Sequence, residues 1–145
     1  KAQCSGLYQS RKLRTKECCL VACPVLAVRI NEVVRPFYLQ RAQQTVAMLQ
    51  QALPDSRFRI HKPEGAIFLW LWFEGLPISA MELYRRLKAR GVLVVPGEYF
   101  FFGLAEEWPH AGECIRMNYV QQPELMRRGI EIIAEEVNKA WAQLG

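Results

Sequence analysis

The 145-residue chain is long enough for one ordinary domain, and its composition, 51% hydrophobic and 23% charged, predicts a packed core and does not favour a chain that is disordered throughout. No apolar run approaches the roughly 18–20 residues that cross a bilayer, and no cleavable leader is recognisable. These features predict a cytoplasmic protein with no membrane partner. The net charge of +5 hints at an anionic partner.

That excess charge is concentrated at one end of the chain. The only acidic residue among the first 29 is Glu17, whereas the basic residues there are Lys1, Arg11, Lys12, Arg14, Lys16 and Arg29. Four of the five cysteines lie there too, namely Cys4, Cys18, Cys19 and Cys23. We therefore predict that residues 1–29 form an atypical basic, cysteine-containing head, and that residues 30–145 form the folded domain.

The motifs of this head do not indicate a specific ligand. "QSRKLRTK" (9–16) could contact phosphates, but it lacks the interleaved aromatic residues of a single-strand binder, so a solvated tail is favoured and no nucleic-acid partner is predicted. "ECCLVAC" (17–23) lacks the paired C-x2-C spacing of a zinc site, so no metal is predicted.

The elements of the domain begin with a helix. Residues 31–53 have apolar side chains at helical spacing, with Asn31 as a candidate N-cap. Residues 57–62 alternate in polarity and predict an edge strand. Residues 66–73, "AIFLWLWF", are apolar on both faces, as in a central strand that is covered on both sides.

The second half of the domain repeats the alternation of helix and strands. Ser79 and Glu82 form a capping box that predicts a helix over 79–91. The next predicted elements are a buried strand (92–95), an aromatic-rich loop (98–111), a strand (112–120) and a helix (123–143) with a stripe of Leu125, Ile130, Ile133, Val137 and Trp141. The order α-β-β-α-β-β-α predicts an α+β fold, a small two-layer domain with helices covering one face of a short sheet.

Arg116 is the candidate binding residue, because it lies in the middle of the strand "GECIRMNYV" (112–120). Strand alternation directs Cys114, Arg116 and Asn118 to one face. That face could simply meet water, or it could bind a ligand carboxylate, which a guanidinium recognises in a planar bidentate fashion. The preceding segment "VPGEYFFFG" (95–103) could be a plain loop or the wall of a pocket.

Longer stretches resemble a known family. "VVRPFYLQRAQ", "HKPEGAIFLWLWFEGLPISAMELYRRLKARGVLVVPGEYFF", "WPHAGECIRMNYV" and "AEEVNKAWA" resemble the C-terminal small domain of the valine–pyruvate aminotransferases, which belong to the class I/II, fold type I, pyridoxal-phosphate-dependent family. The most specific part is 61–120, which includes the pattern G-V-x-V-x-P-G-x-x-F from Gly91 to Phe100. The resemblance runs from about residue 30 to the end.

The resemblance implies a role for Arg116. In that family the strand arginine binds the substrate α-carboxylate, and Arg116 matches its position. The implied reaction moves an amino group between valine or alanine and a 2-oxo acid such as pyruvate, in a homodimer. No lysine here matches the Schiff-base lysine of the family, and no cofactor-binding residue is predicted in this chain. We therefore expect a truncated aminotransferase that is inactive by itself.

The head does not share the resemblance, and two origins are open for it. It could be a frame-shifted reading joined to a genuine C-terminal domain, or an unrelated natural leader. The alternative to the enzyme reading is a stand-alone, non-catalytic α+β module that binds an amino-acid carboxylate or a protein partner.

Overall fold

The computed structural model describes residues 24–64, 66–103 and 108–144. The chain divides into two compact units, residues 1–37 and 38–145. The first 23 residues of the predicted head, including the "QSRKLRTK" and "ECCLVAC" segments, lie outside the described residues, so the boundary at residue 29 stays a prediction. None of the described helices combines the length and the apolar character that crossing a membrane requires.

Helical structure begins before residue 31, so the prediction of Asn31 as a helix N-cap is wrong. Helix α1 (Pro24–Arg29) is followed by a π-helical turn (Ile30–Val34) and by helix α2 (Arg35–Ala52). The Arg35 N–H donates to the Ile30 carbonyl, five residues back. Pro36 has no N–H to give to the preceding turn, and a wider turn at this point is consistent with that loss.

The second unit contains a four-stranded antiparallel sheet. Its strands are β1 (Phe58–Ile60), β2 (Phe68–Phe73), β3 (Val95–Pro96) and β4 (Cys114–Asn118), in the spatial order β1-β2-β4-β3. Its further helices are α3 (Ala80–Ala89), α4 (Pro109–Gly112) and α5 (Pro123–Trp141), with 3₁₀ turns at Gly97–Phe100 and Ala142–Leu144. This architecture confirms the predicted α+β class, the edge position of β1 and the central position of β2.

The two faces of the sheet have different environments. Leu71 pairs with Ile115 in the register of β2 and β4, and both side chains are fully buried in one core with residues of α2, α3 and α5. The neighbouring pair, Trp70 and Arg116, lies on the opposite face. Helices α2, α3 and α5 thus cover one side of the sheet, as the sequence predicts, and the other side carries the candidate site. The prediction that β2 is covered on both sides is wrong in part, because Phe68 on that other side is 37% exposed.

The predicted buried strand over 92–95 is wrong in its extent. Pairing with β4 is confined to Val95 and Pro96, and Leu93 is 73% exposed. The C-terminal turn of α3 explains the difference, since the Val92 N–H still donates to the Leu87 carbonyl and Gly91 has a φ of +82°. The chain therefore leaves α3 too late for 92–94 to join the sheet.

Two further predictions need correction. Residues 98–111 are not a continuous loop, because the 3₁₀ turn and α4 occupy parts of this segment. Leu125 does not belong to the buried stripe of α5, since it is 57% exposed and Met126 is buried instead. The Ser79 half of the capping box is confirmed, since its hydroxyl accepts a hydrogen bond from the Glu82 N–H at 3.2 Å, whereas the Glu82 side chain accepts from Arg86 at 3.0 Å.

Candidate functional site

Arg116 lies at the centre of β4, between Trp70 of β2 and Val95 of β3. It is half-buried, and no carboxylate of the described residues forms an ion pair with it. Its Nε is buried and has no hydrogen-bond partner there either. A buried hydrogen-bond donor without a partner raises the free energy of the folded state. This guanidinium is therefore suited to donate hydrogen bonds to an acceptor on a ligand.

Two phenyl rings contact the Arg116 guanidinium. Its Cζ lies 4.2 Å from the ring centroid of Phe68 and 4.7 Å from that of Phe100. Both distances are within the range of cation–π attraction. Phe68 comes from β2 and Phe100 from the 3₁₀ turn after β3, so the rings are anchored on opposite sides of β4. The cationic guanidinium of Arg116 therefore has an apolar ring on each side.

These two rings are part of a larger aromatic layer, which we define as Phe68, Trp70, Phe100, Phe101 and Trp108. Trp70 meets Phe100 edge-to-face at 5.2 Å between centroids and Phe101 at 5.8 Å, and Phe101 meets Trp108 at 5.0 Å. Edge-to-face pairs at these distances are favourable. The layer keeps the segment after β3 against the sheet, so the possible pocket wall in "VPGEYFFFG" does lie beside Arg116.

Gly97 allows this segment to approach the sheet. A Cβ built on Gly97 would lie 2.5 Å from the Ala111 carbonyl oxygen and 2.9 Å from that of Cys114. Both neighbours are backbone atoms, so no side-chain rotation could relieve the overlap. Close packing therefore explains the glycine in "VPGEYFFFG", because only a residue without a Cβ lets the turn that carries Phe100 lie over β4.

The end of this face near β1 has a different chemistry. The His110 Nε2 lies 3.3 Å from the Cys114 Sγ, and the Trp72 Nε1–H donates to Glu113 at 2.8 Å. Burial raises the pKa of the Cys114 thiol to about 12, and burial followed by the charge of His61 lowers the pKa of His110. The pair is therefore neutral at pH 7, which does not suit a cysteine nucleophile.

Within the three described ranges, no group of three or more His, Cys, Asp or Glu side chains is arranged to hold a metal ion.

The described lysines have their contacts elsewhere than at Arg116. Lys62 forms an ion pair with Glu64, Lys139 pairs with Glu136, and Lys88 lies over the ring of Tyr84. None of the three contacts Arg116 or a member of the aromatic layer. The described residues therefore do not fit a Schiff-base cofactor, and no reaction step through one is derived for them.

A separate groove of about 530 Å³ lies between the 90–94 segment and α5. Its lining includes Leu93, Met117 and Leu125, and it includes no member of the aromatic layer. Its volume alone would make it a candidate ligand site. No side chain that lines this groove has a buried polar atom without a partner, whereas Arg116 does, so chemistry favours the face of the sheet that carries Arg116.

Sequence reasoning identified Arg116 and the aromatic segment, but it missed two contributors. The sequence pattern places Phe68 in a central strand and Gly97 in the segment 95–103, and it assigns neither of them a role beside Arg116. A signal for Phe68 was available, because it lies two residues before Trp70 on the face that Arg116 shares. The close approach at Gly97 depends on the path of α4, which the sequence did not predict.

Comparisons with known proteins bear on this architecture. Residues 32–133 match the family model "Aminotransferase class I and II". The valine–pyruvate aminotransferase of Escherichia coli (strain K12) is 57% identical over 117 residues, which are 80% of this chain and 28% of that protein. An aromatic-amino-acid aminotransferase of Thermococcus litoralis is 31% identical over 105 residues, 71% of this chain and 23% of its own length.

A solved structure shares the fold. The crystal structure of valine–pyruvate aminotransferase from Salmonella typhimurium LT2 superimposes with a TM-score of 0.81 at 52% identity, over 88% of this chain and 33% of that one. The chain thus spans about a third or less of the relatives it matches. The family match covers most of the chain and confirms the resemblance found in the sequence. This chain belongs to the aminotransferase class I and II family.

Proposed function

We propose that this chain forms the substrate-carboxylate part of an aminotransferase that moves an amino group between valine or alanine and a 2-oxo acid such as pyruvate. The observation that carries the proposal is the half-buried guanidinium of Arg116 at the centre of the sheet, whose Nε has no hydrogen-bond partner in the described ranges. The substrate class rests on the 57% identity to the valine–pyruvate aminotransferase of Escherichia coli.

The role of Arg116 in this proposal is to bind and orient. Its two terminal nitrogens would donate a pair of parallel hydrogen bonds to the carboxylate oxygens of the amino or oxo acid. Such a contact fixes the position of the α-carbon, and correct placement of a reacting carbon contributes greatly to rate. Two rings contact the guanidinium, and within the part of the chain that the structure describes no carboxylate pairs with it and competes with the substrate.

Members of this family generally depend on pyridoxal phosphate, which supplies an electron sink for proton removal at the α-carbon. The assignment of this group elsewhere is supported by the described lysines, since Lys62 and Lys139 pair with glutamates and Lys88 lies over the ring of Tyr84. We therefore assign substrate binding to this chain, and we assign the cofactor to parts of the longer relatives that it does not match. A homodimer and a cytoplasmic location complete the proposal, and light scattering and cell fractionation would measure them.

The test replaces Arg116 by lysine in a full-length relative that has arginine at the aligned position. Lysine keeps the charge but loses the bidentate geometry, so we expect kcat/KM for valine to fall about 10- to 100-fold, the equivalent of one or two charge-assisted hydrogen bonds. The dissociation constant for pyridoxal phosphate should not change. If substrate and cofactor affinity fall equally, Arg116 has a structural role and the proposal is wrong.

The alternative, a stand-alone binding module, predicts a different result for the isolated chain. If a stand-alone module is correct, the 145-residue chain binds pyruvate or valine without any cofactor, and Arg116→Lys weakens that binding. A matched control is Arg128→Lys, an exposed arginine on α5. Calorimetry on the three proteins distinguishes the two readings.

A further inference from the structure

We propose that Phe68 and Phe100 are positioning residues that hold the Arg116 guanidinium in its carboxylate-binding orientation. This inference rests on the proposed function and extends it to two residues that need not touch the substrate. It starts from the two ring contacts, at 4.2 Å and 4.7 Å from the Arg116 Cζ. We call the two rings the phenyl clamp.

The clamp is the anchor that the described residues provide for this side chain. The guanidinium forms no hydrogen bond or ion pair with any of the described residues, and its Nε is buried without a hydrogen-bond partner among them. A flexible arginine side chain loses rotamer freedom when it binds a ligand, and that loss weakens binding unless the side chain is already ordered. The two rings order it in advance, because contact with both rings limits the positions that the guanidinium can take.

Each ring is itself held in place. Phe100 contacts Trp70 edge-to-face, and the turn that carries it lies close to α4 at the Gly97 position. Phe68 lies in β2, where it pairs with Asn118. The rings come from elements on the two sides of β4. A movement of the guanidinium towards one ring therefore takes it away from the other ring.

The chain offers matched variants for a test. Phe100→Leu removes a clamp ring, and Phe100→Tyr retains the ring. Phe102→Leu is the control, because this residue is 86% exposed and lies only two positions away. Phe68→Leu is a second, independent removal. Phe68 and Phe100 are themselves more than one third exposed, so the variants should fold.

The first readout needs no ligand. The Nε–Hε signal of Arg116 in a ¹⁵N-labelled chain is assigned by its disappearance in Arg116→Lys, and nearby rings shift it. We expect this signal to move and sharpen towards that of a free arginine in Phe100→Leu and Phe68→Leu. It should stay in place in Phe100→Tyr and Phe102→Leu.

The second readout is KM for pyruvate in a full-length relative that has arginine and both rings at the aligned positions. We expect about a five-fold increase in each leucine variant of the clamp, a typical cation–π contribution, and no change in the control. Unchanged Arg116 signals in both clamp variants would overturn the inference, as would equal effects of Phe100→Leu and Phe102→Leu. If Arg116→Lys leaves KM and kcat/KM unchanged in that relative, the proposed function fails, whereas the ligand-free signal of the 145-residue chain still decides whether the clamp exists.

Discussion

Gly97 and Ala111 approach so closely that a Cβ on Gly97 would lie 2.5 Å from the Ala111 carbonyl oxygen. Gly97→Ala must therefore move α4 or the turn that carries Phe100. We expect a destabilisation of about 1–3 kcal/mol, which is typical of overpacking, together with a displaced Arg116 Nε–Hε signal. Urea denaturation and the NMR spectrum of the variant would measure the two effects.

Gly129→Ala is the matched control for that substitution. Gly129 lies within α5, and a Cβ there would meet no atom within 4 Å. Alanine favours a helix over glycine by about 1 kcal/mol, so this variant should be more stable than the wild type. Loss of stability in both variants would mean that the close approach at Gly97 is not the cause.

The part of the fold that the sequence predicted correctly depends on local rules. The Ser79 half of the capping box is a short-range signal, and the alternation in "GECIRMNYV" places Arg116 on the face opposite Ile115 wherever the strand lies in the sheet. Both were confirmed because neither requires knowledge of distant residues.

The features that could not be predicted depend on tertiary contacts. The sequence "VLVV" has strong strand propensity, yet the hydrogen bond from the Val92 N–H back to α3 removes it from the sheet and leaves Leu93 exposed. The rings beside Arg116 come from residues 48 positions earlier and 16 positions earlier in the chain, at Phe68 and Phe100. Their convergence follows from the β2-β4-β3 order, which periodicity alone does not determine.

Arg90 joins the end of α3 to α5, and its removal should lower stability. Its Nη1 donates to Glu136 at 2.9 Å and its Nη2 to Glu135 at 2.6 Å, and Glu136 is only 7% exposed. Burial alone would raise the pKa of Glu136, but the hydrogen bonds from Lys139 and Arg90 outweigh it and lower that pKa. We expect Arg90→Met to cost about 1–3 kcal/mol, because a buried carboxylate then loses a charged donor.

Arg85→Met provides the comparison. Arg85 is 69% exposed on α3 and pairs with Glu82 at 3.5 Å. A solvent-exposed pair of this kind contributes about 0–1 kcal/mol, so chemical denaturation should show little change. A similar loss in the two variants would indicate that apolar contacts of the arginine stems, and not the buried charge, determine the result.

Asp55 and Arg57 give the chain an acid-dependent contribution to stability. The Arg57 side chain donates to the Asp55 carboxylate, and its backbone N–H does so at 2.9 Å, which lowers the pKa of Asp55 from 3.8 to about 2. A carboxyl with a lowered pKa stabilises the folded state above its unfolded pKa, and this stabilisation is lost as the pH falls through the folded value. Between about pH 4 and pH 2 the urea midpoint should therefore fall more steeply for the wild type than for Asp55→Asn. Parallel profiles would contradict the assignment.

Cys114 should resist thiol reagents in the folded protein despite its proximity to His110. Its side chain is fully buried, and burial raises its pKa to about 12, so almost none of it is ionised at pH 8. Mass spectrometry after treatment with iodoacetamide should find the Cys114 peptide unmodified in buffer and modified in guanidinium chloride. His110→Ala removes the ring that contacts the sulfur at 3.3 Å, so we expect it to increase labelling of the folded chain. Rapid labelling of the wild type would show that the face around β4 opens readily, and the Arg116 site would then lack the rigid support that carboxylate binding requires.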